Sequence, residues 1–478
     1  MKQVLDWSKA HQKYFEEMAS IPHGSYFEKQ YSDYLVDFAR KQGLKYKQYD
    51  MGNVIIYKEA SPGYEDHPAV VLQAHMDMVC EKTPESTHDF EKDPLELYIE
   101  DGWLGARGTT LGADDGTGVC YMLAILADHT LSHPALECVF TVLEEIGLDG
   151  ALALEPGDLK GRRYINLDGG GGGIETVITA AGGLRWNGIQ KVHWADADKP
   201  GYRLTIGGLD GGHSGGCIHM EKGNALKICA RMLKEFRKEG TITLSAMDGG
   251  SKDNAIPRDC WAEFSTDIGE EKLRNIVSAL GGQIKEELRY SDSGLTIVLE
   301  KAAVTQVWSQ EESDKLADFL FICPTGPRHK NVNIVDHTIA SENLAVVKTE
   351  GQQVKVSVSM RSAFESYIQE MEEELEILGN LYGMDQEKTG RYPAWGYEEN
   401  SPLREIMRET VKRCTGKDLV EKAVHGGLEC GVAKSKWPDM DIITMGPTAE
   451  GVHSPDERLD LESFDSCYNV LRDLLAHL

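Results

Sequence analysis

His75 and Asp77 close a run of apolar residues, and they carry two side chains that often occur together at metal sites. Residues two apart in a strand point to the same face, so the imidazole and the carboxylate are expected to lie side by side. A carboxylate in that place commonly orients a metal-binding imidazole and raises its basicity. The pair therefore predicts His75 as a metal ligand, with Asp77 as its supporting partner.

Further acids and a second histidine follow other apolar segments of the chain or lie in the turns next to them. These residues are Asp114, Asp115, Glu144, Glu145, Asp168 and His453. Imidazoles and carboxylates in combination are ligands that suit zinc, manganese or cobalt. The residue types therefore indicate a site for one or more divalent cations.

Taken one at a time, these acids have an ordinary explanation as helix caps or turn formers. That explanation is weaker for the set, because acids that follow the strands of one α/β sheet fall in the crevice where such sheets bind ligands. The adjacent Glu144 and Glu145 would also be costly to bury without a compensating cation. We therefore predict a metal centre at this edge of the sheet.

Short apolar runs predict the buried strands that position these residues, at 69–79, 136–143, 164–168 and 440–446. Segment 117–127 is apolar nearly all round, which is typical of a helix packed against a sheet. From about 184 to 388, amphipathic strands alternate with charged helices, as in an α+β module. The pattern predicts an α/β catalytic domain formed by 1–183 and 389–478, interrupted by an inserted α+β domain at 184–388.

Composition excludes several classes of partner. The 478 residues include 50 basic and 78 acidic side chains, a formal net charge of -28, which disfavours nucleic acid or an anionic membrane. The N-terminus lacks the features of a signal peptide, and no apolar stretch approaches the length of a membrane span. The ten cysteines are scattered without a CxxC pair, as in a reduced protein. We expect a cytoplasmic enzyme.

Nine segments, in order from residue 75 to 458, resemble one known family. They are HMDMV, LGADDG, VLEEIGLDGA, NLD, GGHSGG, DNAIPR, SMRSAFES, HGGLECG and GPTAEGVHSPDER. The family is that of the dinuclear zinc metallopeptidases, which contains aminoacyl-histidine dipeptidase and cytosol non-specific dipeptidase and is related to peptidase T, aminoacylase and carboxypeptidase G. The resemblance implies a mixed-sheet catalytic domain with helices on both faces, and it implies that the insert is a lid.

The resemblance also implies roles for individual residues. Asp114 would bridge two divalent metal ions, with zinc as the first choice and manganese or cobalt as the alternatives. His75 and Asp168 would complete one site, and Glu145 and His453 the other. A water held between the ions would attack a small peptide, with Glu144 as general base and Asp77 as the partner of His75. In this family the Asp114–Asp115 peptide is cis, so we predict a cis bond here.

Three residues of the insert resemble substrate-binding residues of the lid. His213 would stabilise the oxyanion, Asn254 would hold the substrate carbonyl, and Arg361 would bind the C-terminal carboxylate as a planar fork. Glu429 is a candidate for binding the free amino group, and a structural role is its alternative. Gly169–Gly173 stands where acids are expected, which leaves the side-chain preference open.

Other interpretations remain at this point. The reaction could be the hydrolysis of N-acyl amino acids, as in an aminoacylase, and an inactive metal-binding relative is a further alternative that the presence of Glu144 disfavours. Residues 212–216 also fit GxSxG, with Ser214 as a serine nucleophile, although no buried strand runs directly into that segment. Monomer and lid-mediated homodimer are both open, and so is whether His213 acts in its own chain.

Overall fold

The computed structural model describes residues 3–332 and 337–478. Within that part of the chain no helix is both long enough and apolar enough to cross a membrane. All ten cysteines are free thiols. The helices are α1 (Ala10–Met18), α2 (Lys29–Gln42), α3 (Ala113–Ala127), α4 (Glu144–Gly147), α5 (Asp149–Ala153), α6 (Ser214–Cys217), α7 (Ala225–Phe236), α8 (Glu270–Glu287), α9 (Gln310–Ile322), α10 (Glu365–Leu381), α11 (Pro402–Thr415), α12 (Glu429–Lys436) and α13 (Leu461–Leu475).

Among the described residues, the strands that flank the insert have at most six residues each, and the longest strands lie within the insert. They are β1 (Lys45–Gln48), β2 (Val54–Lys58), β3 (Val70–His75), β4 (Leu97–Glu100), β5 (Trp103–Ala106), β6 (Leu136–Thr141), β7 (Arg163–Asn166), β8 (Glu175–Ala180), β9 (Gly182–Lys191), β10 (Trp194–Asp196), β11 (Gly201–Gly207), β12 (Gly212–His213), β13 (Ile242–Gly249), β14 (Ala255–Ile256), β15 (Cys260–Thr266), β16 (Thr296–Lys301), β17 (Gln306–Trp308), β18 (Gly326–Lys330), β19 (Thr338–Glu350), β20 (Gln353–Ser362), β21 (Asp385–Tyr392), β22 (Val420–Val424), β23 (Asp441–Thr444), β24 (Ala449–Glu450) and β25 (Arg458–Asp460).

The first compact unit comprises residues 1–179, 395–423 and 428–478. Its main sheet has six strands in the order β1-β2-β6-β3-β7-β23. The two pairings at the β1 edge are antiparallel, whereas β6, β3, β7 and β23 run parallel, so the sheet is mixed as predicted. All six residues of β3 are buried, as expected for a strand covered on both faces.

Helix α3 lies against β3 and supplies much of the core of the first unit. Its residues from Val119 to Leu126 are all essentially inaccessible to solvent. A helix that is apolar all round must be covered on every side, which is the reason the sequence predicts it as central. Because α3 starts at Ala113, its first turn carries Asp114 and Asp115 to the sheet edge where β3 ends.

The second unit comprises residues 180–394 and 424–427. Its main sheet runs in the order β16-β11-β15-β13-β19-β20-β9-β21, with β18 paired to β19, and all its pairings are antiparallel. Helices α7, α9 and α10 pack on this sheet through a separate apolar core. Strands β20 and β9 pair antiparallel from Gln353 to Ser362 without a bulge, and this regular pairing fixes the backbone that carries Arg361.

Candidate metal centre and substrate-binding residues

Strand β3 ends at His75, and the ring of this residue is almost fully buried. Its Nδ1 lies 3.0 Å from the backbone oxygen of Asp77 and 3.5 Å from the Asp77 carboxylate. A carbonyl oxygen only accepts, so Nδ1 carries a proton, and when the ring is neutral its lone pair is on Nε2. That Nε2 faces Asp114, which makes it the atom available to a metal.

The Asp77 carboxylate also holds the segment that carries the two adjacent glutamates. Its oxygens accept hydrogen bonds from the Glu144 N–H at 3.0 Å, the Glu145 N–H at 3.3 Å and the Ser25 hydroxyl at 2.8 Å. Burial acts to raise the pKa of Asp77, but the bonds with His75 and these donors outweigh it and hold the pKa below its usual value. One buried carboxylate thus positions both β3 and the start of α4.

Glu144 and Glu145 do not extend the strand that precedes them. Strand β6 ends at Thr141, Leu143 has a φ of 56°, and the two glutamates begin the short helix α4. Their N–H groups therefore point to Asp77, as expected for the unpaired donors of a first helical turn. Glu145 Oε1 lies 3.0 Å from His453 Nε2, and one oxygen of each glutamate belongs to a group with His75 whose atoms are within 4.8 Å of one another.

Asp114 is positioned by a glutamate that the sequence analysis did not identify. The buried Glu457 accepts hydrogen bonds from the N–H groups of Leu111, Gly112 and Ala113, at 2.7, 3.1 and 2.8 Å. These three bonds hold the turn that leads into α3. The next peptide, Asp114–Asp115, is cis, so that prediction is confirmed.

The Asp114 carboxylate lies between the two predicted histidines. Its Oδ1 is 3.0 Å from His75 Nε2, its Oδ2 is 3.3 Å from His453 Nε2, and His453 Nε2 is 3.0 Å from Glu145 Oε1. Two ligand atoms bonded tetrahedrally to one zinc ion are about 3.3 Å apart. These contacts therefore have the spacing of ligands that surround a cation.

The described residues contain three groups of potential ligand atoms; besides the group of His75, Glu144 and Glu145, two overlapping groups share Asp114. One consists of His75, Asp114 and Asp168, and the other of Asp114, Glu145 and His453, with the atoms of each group within 4.8 Å of one another. The structure thus brings together all five predicted metal ligands. Asp168 lies two residues past β7 rather than at its end.

The charges of this cluster also fit divalent cations. Burial and neighbouring carboxylates raise the pKa of Asp168 and Glu144 well above the usual range. Bonds to Asp114 and Glu145 raise the pKa of His453 to about 10. Beside a divalent cation the pKa values of Asp168, Glu144 and His453 would be lower, because the cation would compensate the excess negative charge that protons otherwise compensate. Imidazole and carboxylate donors suit such an ion.

Glu429 lies inside the first unit and has no solvent-exposed surface. Its Oε2 accepts hydrogen bonds from the Thr141 hydroxyl at 3.0 Å and from the Gln73 amide. Gln73 in turn accepts bonds from Tyr164 and Asn166 on β7. This network favours the structural alternative for Glu429, and its predicted contact with a substrate amino group stays a prediction.

The second unit brings His213, Asn254 and Arg361 together around Ser214. The Ser214 N–H donates to the Asn254 carbonyl at 2.7 Å, and Arg361 Nε donates to the Ser214 hydroxyl at 3.4 Å. His213 immediately precedes Ser214 and pairs with Ala255, the neighbour of Asn254. Since the partner of the serine hydroxyl is a cation that accepts no proton, the contacts of Ser214 do not support a serine nucleophile.

Two further residues of this cluster were missed in the sequence analysis. The Tyr392 hydroxyl accepts a hydrogen bond from Arg361 Nη1 at 2.9 Å, and the His425 ring lies 2.7 Å from the Ser341 hydroxyl. His425 belongs to residues 424–427, which group with the second unit, whereas Glu429 of the same motif groups with the first. The histidine in HGGLECG was the available signal for this cluster.

Comparisons with known proteins give consistent matches. The family model described as peptidase family M20/M25/M40 matches residues 71–477. The cytosol non-specific dipeptidase of Escherichia coli (strain K12) is 36% identical over 471 residues, which cover 97% of this chain and 96% of that one. The crystal structure of aminoacylhistidine dipeptidase from Vibrio alginolyticus is 33% identical with a TM-score of 0.86, covering 98% and 96% of the two chains. Aminopeptidase PepT from Bacillus cereus shares the fold, at 16% identity, a TM-score of 0.58 and coverage of 99% and 98%.

Proposed function

Because the chain belongs to peptidase family M20/M25/M40, we propose that it is a metal-dependent dipeptidase that works in the cytoplasm. The observation that carries this proposal is the pair of ligand groups sharing Asp114, in a chain that matches a dipeptidase along almost its whole length. The α/β fold with an inserted α+β unit agrees with that membership. The substrate is a small peptide.

Each ligand group is assigned one divalent cation. His75, Asp114 and Asp168 would hold the first ion, and Asp114, Glu145 and His453 the second. When bound, the ions polarise the peptide carbonyl and lower the pKa of a water. Zinc is our choice, and manganese or cobalt would be accommodated by the same donors.

Glu144 is the group assigned to proton transfer. Its neighbour Glu145 contacts His453, which leaves the Glu144 carboxylate for a different role. The Glu144 N–H donates to Asp77, and this bond fixes the start of α4, from which the Glu144 side chain extends. A carboxylate in this position takes a proton from the attacking water and delivers it to the leaving amine. Asp77 keeps the His75 ring oriented during this transfer.

Residues 184–388 are assigned the role of a lid that contributes substrate contacts. Arg361 would bind the C-terminal carboxylate, Asn254 the carbonyl of the substrate and His213 the oxyanion. Arg361 is largely buried, and the hydroxyls of Ser214 and Tyr392 hold its guanidinium in place. A guanidinium held in this way recognises a carboxylate with little loss of side-chain freedom. Homodimerisation through these residues is part of the same proposal.

Metal removal tests the proposed reaction. We expect the metal-depleted protein to lose dipeptidase activity and to regain it with two equivalents of zinc, manganese or cobalt, whereas a serine-directed phosphonate should have no effect. The assay compares Xaa-His, β-Ala-His and unrelated dipeptides with N-acetyl amino acids. Preferential cleavage of the N-acetyl compounds would make the protein an aminoacylase, and activity that survives metal removal would contradict the proposal.

Arg361→Ala is expected to raise KM for dipeptides with a free C-terminus by about 10- to 100-fold, since hydrogen bonds to charged groups contribute about 1.5–3 kcal/mol. The wild type should cleave the corresponding dipeptide amides poorly. Steady-state kinetics on each dipeptide and its amide measure both effects.

Arg203→Ala is the matched control, because Arg203 pairs with Glu263 and packs over Trp261 on the sheet of the same unit. Its KM should stay at the wild-type value. Equal cleavage of a dipeptide and its amide by the unmutated enzyme would remove the role proposed for Arg361.

A further inference from the structure

A tight turn of four residues, Gly24–Phe27, projects two aromatic side chains from the first unit. The Phe27 N–H donates to the Gly24 carbonyl at 2.8 Å, which closes the turn. Tyr26 occupies the third position with a φ of 73°, a conformation that favours glycine. Tyr26 is 71% exposed and Phe27 47% exposed, so core packing does not explain either ring.

Both ends of this turn are attached to the segments that carry the metal centre. Met78 exchanges backbone hydrogen bonds with the turn, donating to the His23 carbonyl and accepting from the Ser25 N–H. After the turn, Glu28 accepts a hydrogen bond from the Leu143 N–H, directly before the two glutamates. The turn is therefore held rigidly, although its two rings are exposed.

Ser25 connects the turn to the centre itself. Its hydroxyl donates to Asp77 Oδ2 at 2.8 Å, and the same oxygen accepts the Glu145 N–H at 3.3 Å. Tyr26 is the next residue after Ser25. Tyr26 and Phe27 thus directly follow Ser25, whose hydroxyl donates to the same Asp77 oxygen as the N–H of the proposed metal ligand Glu145.

A cavity of about 580 Å³ adjoins the turn within the first unit. Phe27 lines it on the side of the turn together with Ser25, and Met78, Cys80 and Phe90 contribute further apolar surface. The remaining lining residues are polar or charged: Lys82, Thr87, His88, Asp89 and Glu91. Pockets of this size accept an aromatic or large aliphatic group, and thioether and ring surfaces favour apolar ligands. Gly24 allows the close approach of Cys80, because a Cβ at that position would lie 2.3 Å from its sulfur.

We propose that the turn Gly24–Phe27 and this cavity form a subsite for a large apolar side chain of the dipeptide, and that Tyr26 and Phe27 set the preference for it. The metal centre treats all dipeptides alike at the reacting peptide bond, so discrimination must come from contacts beyond that bond. An exposed tyrosine at a position that favours glycine is the expected cost of such a contact. The inference rests on the proposed dipeptidase activity.

Tyr26→Gly separates this role from a structural one. Glycine adopts the positive φ readily, so the variant should keep its metal content and unfold at the same or a higher temperature. Its kcat/KM should fall about tenfold or more for Phe-Ala or Ala-Phe, and stay within about twofold for Ala-Ala. Phe27→Ala should show the same selective loss. Asp101→Gly, at another exposed position with positive φ, and Tyr290→Ala, at another exposed ring, should change neither ratio.

The outcomes separate the subsite from the activity on which it rests. An equal loss for all three dipeptides, or no loss for any in both turn variants, would overturn the subsite while leaving the dipeptidase proposal intact. A lower unfolding temperature with an equal loss of rates would show that the turn is structural. If the wild type with bound metal cleaves none of the three, the dipeptidase proposal fails and the subsite fails with it.

Discussion

Glu144→Gln is expected to lower kcat by about 10²–10⁴-fold while the enzyme keeps its full complement of metal, because the loss of a general base typically has an effect of this size. Glutamine has the shape of glutamate but does not accept the proton of the attacking water. The backbone bond from residue 144 to Asp77 is unaffected by the change, so the start of α4 should stay in place. Metal analysis and steady-state kinetics on one dipeptide measure the two properties separately.

Glu145→Gln is the matched control for this prediction. The two residues are adjacent and have the same side chain, but Glu145 faces His453 within a proposed metal group. We therefore expect Glu145→Gln to weaken metal binding first and activity as a consequence, with partial recovery at high metal concentration. Normal metal occupancy with turnover within a few-fold of wild type in Glu144→Gln would show that Glu144 is not the base.

Local patterns in the sequence indicated candidates for the five proposed metal ligands, whereas the choice among neighbouring acids such as Glu144 and Glu145 depended on family resemblance. Apolar runs predicted β3, β6, β7 and β23, and the ligands come shortly after strands or at the start of a central helix. Parallel strands bring their carboxyl ends to one edge, so local patterns were sufficient to predict a common location. The metal-bridging role of Asp114, by contrast, depended on family resemblance.

Residues that act through long-range contacts could not be predicted in the same way. Glu457 holds the turn before Asp114 across more than 300 residues of sequence, and the residue types around it in GPTAEGVHSPDER do not predict that this acid is buried. The placement of Glu144 in α4 was also missed, since Val142 and Leu143 continue the apolar run of β6. A left-handed residue such as Leu143 ends that strand without any glycine or proline signal.

The bounds of the second unit are a further feature that local sequence patterns predict only in part. The insert was predicted at 184–388, whereas the compact unit spans 180–394 together with 424–427. The four additional residues follow α11 in the chain. The Gly426 carbonyl in this segment accepts a hydrogen bond from the Ala181 N–H. A change of composition marks where an insert begins and ends along the chain, but it does not reveal a later segment that rejoins it.

The His213 ring is in a state suited to hydrogen-bond donation. Its Nδ1 accepts the Gly216 N–H at 3.2 Å, so the ring proton of the neutral histidine lies on Nε2. The oxyanion formed by attack of water requires such donors, and removal of one typically lowers kcat by about 10²–10³-fold. His213→Ala is therefore expected to lower kcat by that factor, with KM within a few-fold of wild type and metal content unchanged.

Mixing His213→Ala with a second inactive variant tests whether His213 acts in its own chain or in that of a partner subunit. His193→Ala serves as the control for removal of an exposed histidine of the same unit, and it should keep the wild-type kcat. Asp114→Ala lacks the residue shared by both proposed metal groups but retains His213.

Recovered activity in a mixture of Asp114→Ala and His213→Ala would mean that the histidine comes from a partner subunit of a homodimer. No recovery, with exchange of subunits demonstrated by mass labels, would assign it to the same chain. A wild-type kcat in His213→Ala alone would exclude this histidine as the oxyanion donor, because removal of such a donor lowers kcat.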